Sequence, residues 1–240
     1  MDSAVMENRP GRSKLRHALP RPLENGAHLS ASEFLRHYEA MPEVKKAELI
    51  GGIVYMASPV RADQHGDPDS LMQGWLCAYA IATPGVKSTT NSTVRLGADD
   101  VPQPDGALRI LPEYGGRVRL DAKGYLQGGP DLVVEVAASS ASVDTHEKLL
   151  AYRRAGVAEY IVYRTEDDAV DWWVLAEDEY RPVPADEKGI LRSKVFPGLW
   201  LGIEALVGGD GLKMMAILQK GLQSKDHAAF VSELHRRRTA

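Results

Sequence analysis

Apolar and polar positions first fall into register at Leu29. Ser30 with Glu33 three residues on forms a capping box, and Phe34, Leu35 and Tyr38 supply one apolar stripe. A helix is predicted there, running to about Glu39 and stopping before Pro42. AELI and IVYMAS are β-rich runs joined by Gly51-Gly52, the pattern of a two-residue hairpin. Asp67 and Pro68 read as N-cap and first residue of a second helix, with Leu71, Trp75, Ala78 and Ala82 on one face. Pro84-Gly85 ends it.

Strand-like patterning follows in STTNSTVRLG and VPQPDGALRIL. A glycine-rich loop then leads to the apolar run PDLVVEVAAS. Asp144 with Glu147 forms another capping box, predicting a helix to about Ala155 with Gly156 as its C′ residue. EYIVYR, VDWWVL and EYRPV read as a strand meander. Two further helices are predicted over Lys213–Gln223 and Asp226–Arg238. These elements describe an α/β (α+β) domain over residues 28–200. A mobile basic tail over 1–27 (Arg9, Arg12, Lys14, Arg16, Arg21) precedes it, and a helical C-terminal appendage over 201–240 follows.

Composition narrows the class. The 240 residues are 44% hydrophobic and 26% charged, enough to bury a sizeable core. No stretch approaches the ~18 apolar residues of a membrane span, and the N-terminus lacks the apolar core of a secretory signal, so a soluble, cytoplasmic protein is expected. Cys77, the single cysteine, cannot support an intramolecular disulfide or a cysteine-based zinc site. Net charge is −4 and the sequence pI about 6.0, which argues against a non-specific DNA sleeve. An acidic enzyme site masked by a divalent cation is compatible with that balance.

Chemistry concentrates in the Val-rich run. Its continuity suits a central strand covered on both faces, where Glu135 would be costly without a partner. A structural ion pair and a functional carboxylate are both open readings of Glu135. Asp105, in QPDG at the entry to a β-rich run, is a second carboxylate that could share a hard cation with it on a neighbouring strand. Such a pair could activate water against a phosphodiester. Lys148 lies one turn into the helix after the Glu135 strand, where its ammonium could orient water or balance phosphate charge. Its simpler reading is a surface i,i+4 pair with Asp144. Removing either acid would relieve repulsion, so stability without metal is expected to hold or rise. Other chemistries find no motif. His65 and His146 stand apart from any histidine pair, and the glycine pairs match no nucleotide cradle. Ser139, Ser140 and Ser142 lack a nucleophile elbow. Trp172-Trp173 is expected to put at least one ring into the core.

The blocks ELIGG before IVYMASP, then QPD, then GGPDLVVEVAASSASVDTHEKLLAYRRAGVAEYIVY closely resemble the bacterial "putative restriction endonuclease" family of the PD-(D/E)XK nuclease superfamily. The resemblance spans about Ser32 to Val183. It implies a restriction-endonuclease-like fold, a mixed central sheet flanked by helices, and a metal-dependent endonuclease acting on DNA. It places the metal carboxylates on Asp105 and Glu135 with Mg²⁺ (or Mn²⁺) as cofactor, and Glu48 as an early acid near the site. The superfamily lysine two residues after the acid is replaced by Ala137, and the family's lysine on the following helix matches Lys148. Ala137-Ala138-Ser139 departs from the usual Leu-Ser-Pro, and His65-Gly66-Asp67-Pro68 interrupts a helix that commonly starts there. Many nucleases of the superfamily are dimers, so a homodimer is a further expectation. The rival reading is a catalytically silent nuclease fold serving as a nucleic-acid-binding or assembly module.

Overall fold

The computed structural model describes residues 21–138 and 141–239; the basic leader before Arg21 and the pair Ser139-Ser140 lie outside the described residues. Helix α1 (Ala31–Glu39) begins at the reciprocal Ser30–Glu33 capping box. Strands β1 (Ala47–Ile50) and β2 (Ile53–Met56) pair antiparallel around Gly51 and Gly52, both at positive φ, which glycine adopts without steric cost. Leu49 and Val54 turn one hairpin face into a small core with Phe34, Leu35 and Val101. Leu23 joins that core and the Gly26 N–H donates to the Val54 carbonyl, so contacts with the hairpin begin within the segment read as tail, at Leu23.

Helix α2 (Asp67–Ala82) does not start from a capping Asp67. Gly66, already at α-helical angles, is the last residue of a π-helical turn over Ala62–Gly66, so winding begins at Ala62 and Asp67 is interior. Then come β3 (Val86–Thr90), β4 (Val94–Arg95), β5 (Gly106–Ile110), β6 (Arg119–Leu120), β7 (Leu126–Gln127) and β8 (Leu132–Ala137). The chain returns through α3 (Ala141–Val143), a π-helical turn over Asp144–Lys148 and α4 (Leu149–Arg154). The helical path therefore starts three residues before Asp144, and that side chain turns to Lys148 instead of capping. Gly156 at φ 69 ends it, as predicted.

The meander is β9 (Glu159–Arg164), β10 (Ala169–Ala176) and β11 (Glu179–Pro182). It joins β8, β5 and β3 in a six-stranded sheet ordered β11-β10-β9-β8-β5-β3. Strand β8 runs antiparallel to β5 and parallel to β9, so the sheet is mixed, with the α3–α4 segment as the crossover a parallel pair requires. Every residue of β8 is buried. Leu132, Val134 and Val136 face the main core with Trp75, Leu76 and Tyr79 of α2, while Val133 and Ala137 face Tyr152 and Tyr160. Each buried Leu or Val of β8 contributes roughly 1.5–3 kcal/mol by leaving water. Trp172 meets Trp75 edge-on in that core, and Trp173 stacks on Tyr160 across the sheet.

After β12 (Ile190–Arg192) and β13 (Trp200–Gly202), the chain is helical in α5 (Ile203–Val207), α6 (Gly211–Leu222) and α7 (Lys225–Thr239). Met214, Leu218 and Leu234 enter the same core as α2. Gly221 lets α6 approach so closely that a Cβ there would overlap the Gly198 carbonyl. Among the described residues, no helix is long and apolar enough to cross a membrane.

Candidate active site

The hairpin alternates. Leu49 and Val54 enter the small core, while Lys46, Glu48 and Tyr55 line a cavity of about 450 Å³ beside the main sheet. Glu48 and Tyr55 are directly opposite one another in the hairpin register. Glu48 Oε1 accepts the Gln103 N–H at 2.7 Å, which ties the hairpin to the loop that enters β5.

Asp105 closes that loop. Its carbonyl accepts from the Asn91 N–H and from Gln73 Nε2 on α2, which fixes the backbone. Its carboxylate is 3% exposed as a residue and holds three partners. Oδ1 lies 2.8 Å from Lys46 Nζ; Oδ2 accepts the Val136 N–H at 2.9 Å and lies 3.4 Å from His65 Nε2. Burial alone would raise its pKa, but the His65 and Lys46 contacts outweigh it and hold Asp105 well below the usual carboxylate range. The Asp105 hydrogen bond in turn raises His65.

Glu135 on β8 faces the helical crossover. Its Oε1 accepts from Lys148 Nζ at 3.1 Å and from the Tyr152 hydroxyl at 2.8 Å. Asp144, Lys148 and Tyr152 are spaced four residues apart, so one helical face presents all three to the strand. Lys148 Nζ also lies 2.9 Å from Glu48 Oε2 and 3.2 Å from Asp144 Oδ1. The lysine is buried among three carboxylates. Burial opposes its charge, yet Glu135, Glu48 and Asp144 push its pKa well above the ordinary value. Burial raises Glu135 to about 8; Lys148 opposes this, and Asp105, Asp144 and Glu48 add to it.

The four expected side chains, Glu48, Asp105, Glu135 and Lys148, therefore line one cavity. Lys148 touches Glu135 and Glu48; Asp105 has Lys46 and His65 as its cations instead. The i,i+4 contact with Asp144 is present but buried, as one arm of a larger network. Lys46, His65, Asp144 and Tyr152 complete the site beyond those four. Lys46 had a sequence signal, its two-residue spacing from Glu48 on a strand face. His65 had none, being forty residues from Asp105. Asp131, on the same strand run as Glu135, accepts the Ile110 N–H and does not line the cavity.

Among the described residues no group of three or more His, Cys, Asp or Glu side chains is arranged to hold a metal. Mg²⁺ takes oxygen ligands, often only one or two carboxylates, and keeps several waters, and carboxylates line this cavity. Four buried carboxylates (Glu48, Asp105, Glu135, Asp144) and three basic side chains (Lys46, His65, Lys148) meet there, an oxygen-rich set of the kind a hard cation takes.

No curated protein matches this chain. A solved structure from Anabaena variabilis ATCC 29413, described as a "putative nuclease belonging to DUF820", matches with a TM-score of 0.57 at 17% identity, over 75% of this chain and 98% of that one. At that identity the likeness establishes the fold. The model of the Uma2 family, described as "Putative restriction endonuclease", matches residues 31–204. That span holds every side chain of the cavity, and the chain belongs to the Uma2 family.

Proposed function

We propose that the protein is a Mg²⁺-dependent endonuclease hydrolysing DNA phosphodiester bonds, a PD-(D/E)XK-type site whose lysine has moved to the following helix. The observation that carries this reading is that Asp105, in the loop entering β5, and Glu135, on the adjacent antiparallel β8, line one cavity with Lys148 on Glu135. Asp105 and Glu135 would hold the cation. When bound, Mg²⁺ would supply a Lewis acid for a phosphoryl oxygen and lower the pKa of a water.

The chain's own residues then divide the work. Lys148 and Tyr152 fix the Glu135 carboxylate, and Glu48 and Asp144 hold Lys148. An ammonium has three donors, and Lys148 spends them on three carboxylates. It is therefore a positioning residue in this state. Lys46 is bound to Asp105, and its side chain is 29% exposed beside the open cavity, placed to meet a phosphate oxygen.

Supercoiled plasmid incubated with Mg²⁺, and with Mg²⁺ plus excess chelator, tests the reading. Nicking or linearisation only in the first arm, lost in Asp105→Ala and Glu135→Gln, is the expected result. Uncut plasmid from folded protein that binds Mn²⁺ calorimetrically would favour the silent binding module.

A further inference from the structure

We infer that the cavity takes one unpaired nucleotide of a single DNA strand, with Tyr55 as the platform on which its base stacks. This rests on the nuclease reading above. The two metal-directed carboxylates are nearly inaccessible: Asp105 is 3% and Glu135 2% exposed, at the bottom of a cavity of about 450 Å³. That volume suits one drug-sized ligand, about a nucleotide, and not a turn of duplex. A nucleotide that must reach a pocket floor has to leave the stack, and one that is already unpaired does so at least cost.

The cavity wall has the two features that single-strand binders combine, an aromatic face and a few cations. Tyr55 lines the cavity opposite Glu48, half-buried. Among the described residues, its hydroxyl has no hydrogen bond and its ring joins none of the aromatic pairs that tie up Tyr152, Tyr160 and Tyr180. Met56, Pro59 and Val60 continue the same wall, and Val60 is 70% exposed beside the opening. A base on Tyr55 would cover apolar surface that the fold leaves open. Besides buried Lys148, the lysine and arginine lining the cavity are Lys46, which also holds Asp105, and Arg61. Two such cations suffice for a short stretch of one backbone. A duplex footprint of six to ten phosphate contacts would need many more, and the net charge of −4 does not favour one.

The test is fluorescence anisotropy with a fluorescein-labelled mixed-sequence 12-mer, single-stranded or annealed to its complement, in Mg²⁺ and in EDTA. The full chain is compared with Tyr55→Ala, Tyr55→Phe and Tyr55→Trp, each checked for an unchanged melting temperature. The single strand should bind at least tenfold tighter than the blunt duplex. Tyr55→Ala should weaken that binding by about 5- to 150-fold, the range for loss of one base–aromatic stack, and Phe or Trp should restore it. The slope of log K against log salt should be near −1.4, about 0.7 for each of two phosphates. Equal or tighter duplex binding, an unaffected folded Tyr55→Ala, or a slope steeper than about −5 would overturn the inference while plasmid cleavage could still stand. If alanine unfolds the protein, phenylalanine and tryptophan decide, since retained binding by both is required. A chain that neither binds nor cuts either DNA overturns both readings.

Discussion

The Val136 N–H donates to Asp105 Oδ2 at 2.9 Å, so the carboxylate that enters β5 is hydrogen-bonded to the peptide group directly after Glu135. One backbone amide sets the spacing of the two acids, and neither can shift along its strand without breaking it.

That relationship separates the two acids. Asp105→Ala removes the acceptor for a buried N–H and the partner of Lys46 and His65, so it should lower stability, by about 1–3 kcal/mol for the orphaned donor. Glu135→Gln keeps an acceptor for Tyr152 and leaves Lys148 with Glu48 and Asp144, so metal-free stability should hold or rise. The expectation that losing either acid leaves metal-free stability equal or higher is thus revised for Asp105 and restated for Glu135→Gln. Urea unfolding in EDTA of both variants measures this, and an Asp105→Ala as stable as the parent would contradict it.

Lys148→Met leaves three buried carboxylates without their shared cation. A loss of about 3–5 kcal/mol is expected, together with loss of plasmid cleavage. Added Mg²⁺ should raise the melting temperature of this variant, because the acids themselves remain. Unfolding midpoints with and without Mg²⁺ check both parts; a variant as stable as the parent would mean the network contributes little.

Lys123 is the control. It lies on the surface and pairs with Glu39. Lys123→Ala should leave both stability and cleavage essentially unchanged. A large drop in cleavage would move the search for the reacting lysine to the glycine-rich loop.

Glu159 should imprint a pH dependence away from the site. Burial pushes it up to about 7, against hydrogen bonds from the Ser193 hydroxyl and the Lys194 and Val195 N–H groups. Its unfolded reference is 4.5. Between these values the native state holds a proton that the unfolded chain has released, so this stability is full below about pH 4.5 and lost as pH rises through 7. Glu159→Gln preserves the acceptor and should flatten the fall in melting temperature between about pH 5 and 8. Parallel profiles for the two proteins would show that Glu159 is ionised in the native state.

Much of the fold was readable because its signals are local. The Ser30–Glu33 box, the Gly51-Gly52 turn and the Val-rich β8 run each carry their instruction within a few residues. Strand order was not local, and neither were two helix starts. The Thr165 hydroxyl donates to the Gln64 carbonyl and His65 reaches Asp105, so residues before Asp67 are already wound into helix. Asp144 has a capping pattern, yet Lys148, drawn inward by Glu135 and Glu48, claims its carboxylate. At the site, the residues flanking β8 announced themselves through the cost of burying Glu135. The clasp on Asp105 joins positions 46, 65 and 105, which only the folded chain brings together.

The hairpin rests on a core of its own, and this gives the molecule two thresholds. Phe34, Leu35, Leu49, Val54 and Val101 form a cluster separate from the one under the six-stranded sheet. A unit with its own small core can open while the larger one stays shut. Each opening would withdraw Glu48 from Lys148 and Lys46 from Asp105 at once. Damage as remote as the Ser30 cap should then register first as lost turnover and only later as a lost fold. Amides of residues 47–56 should exchange with solvent well before those of 132–137, and identical exchange rates in the two segments would merge the thresholds into one.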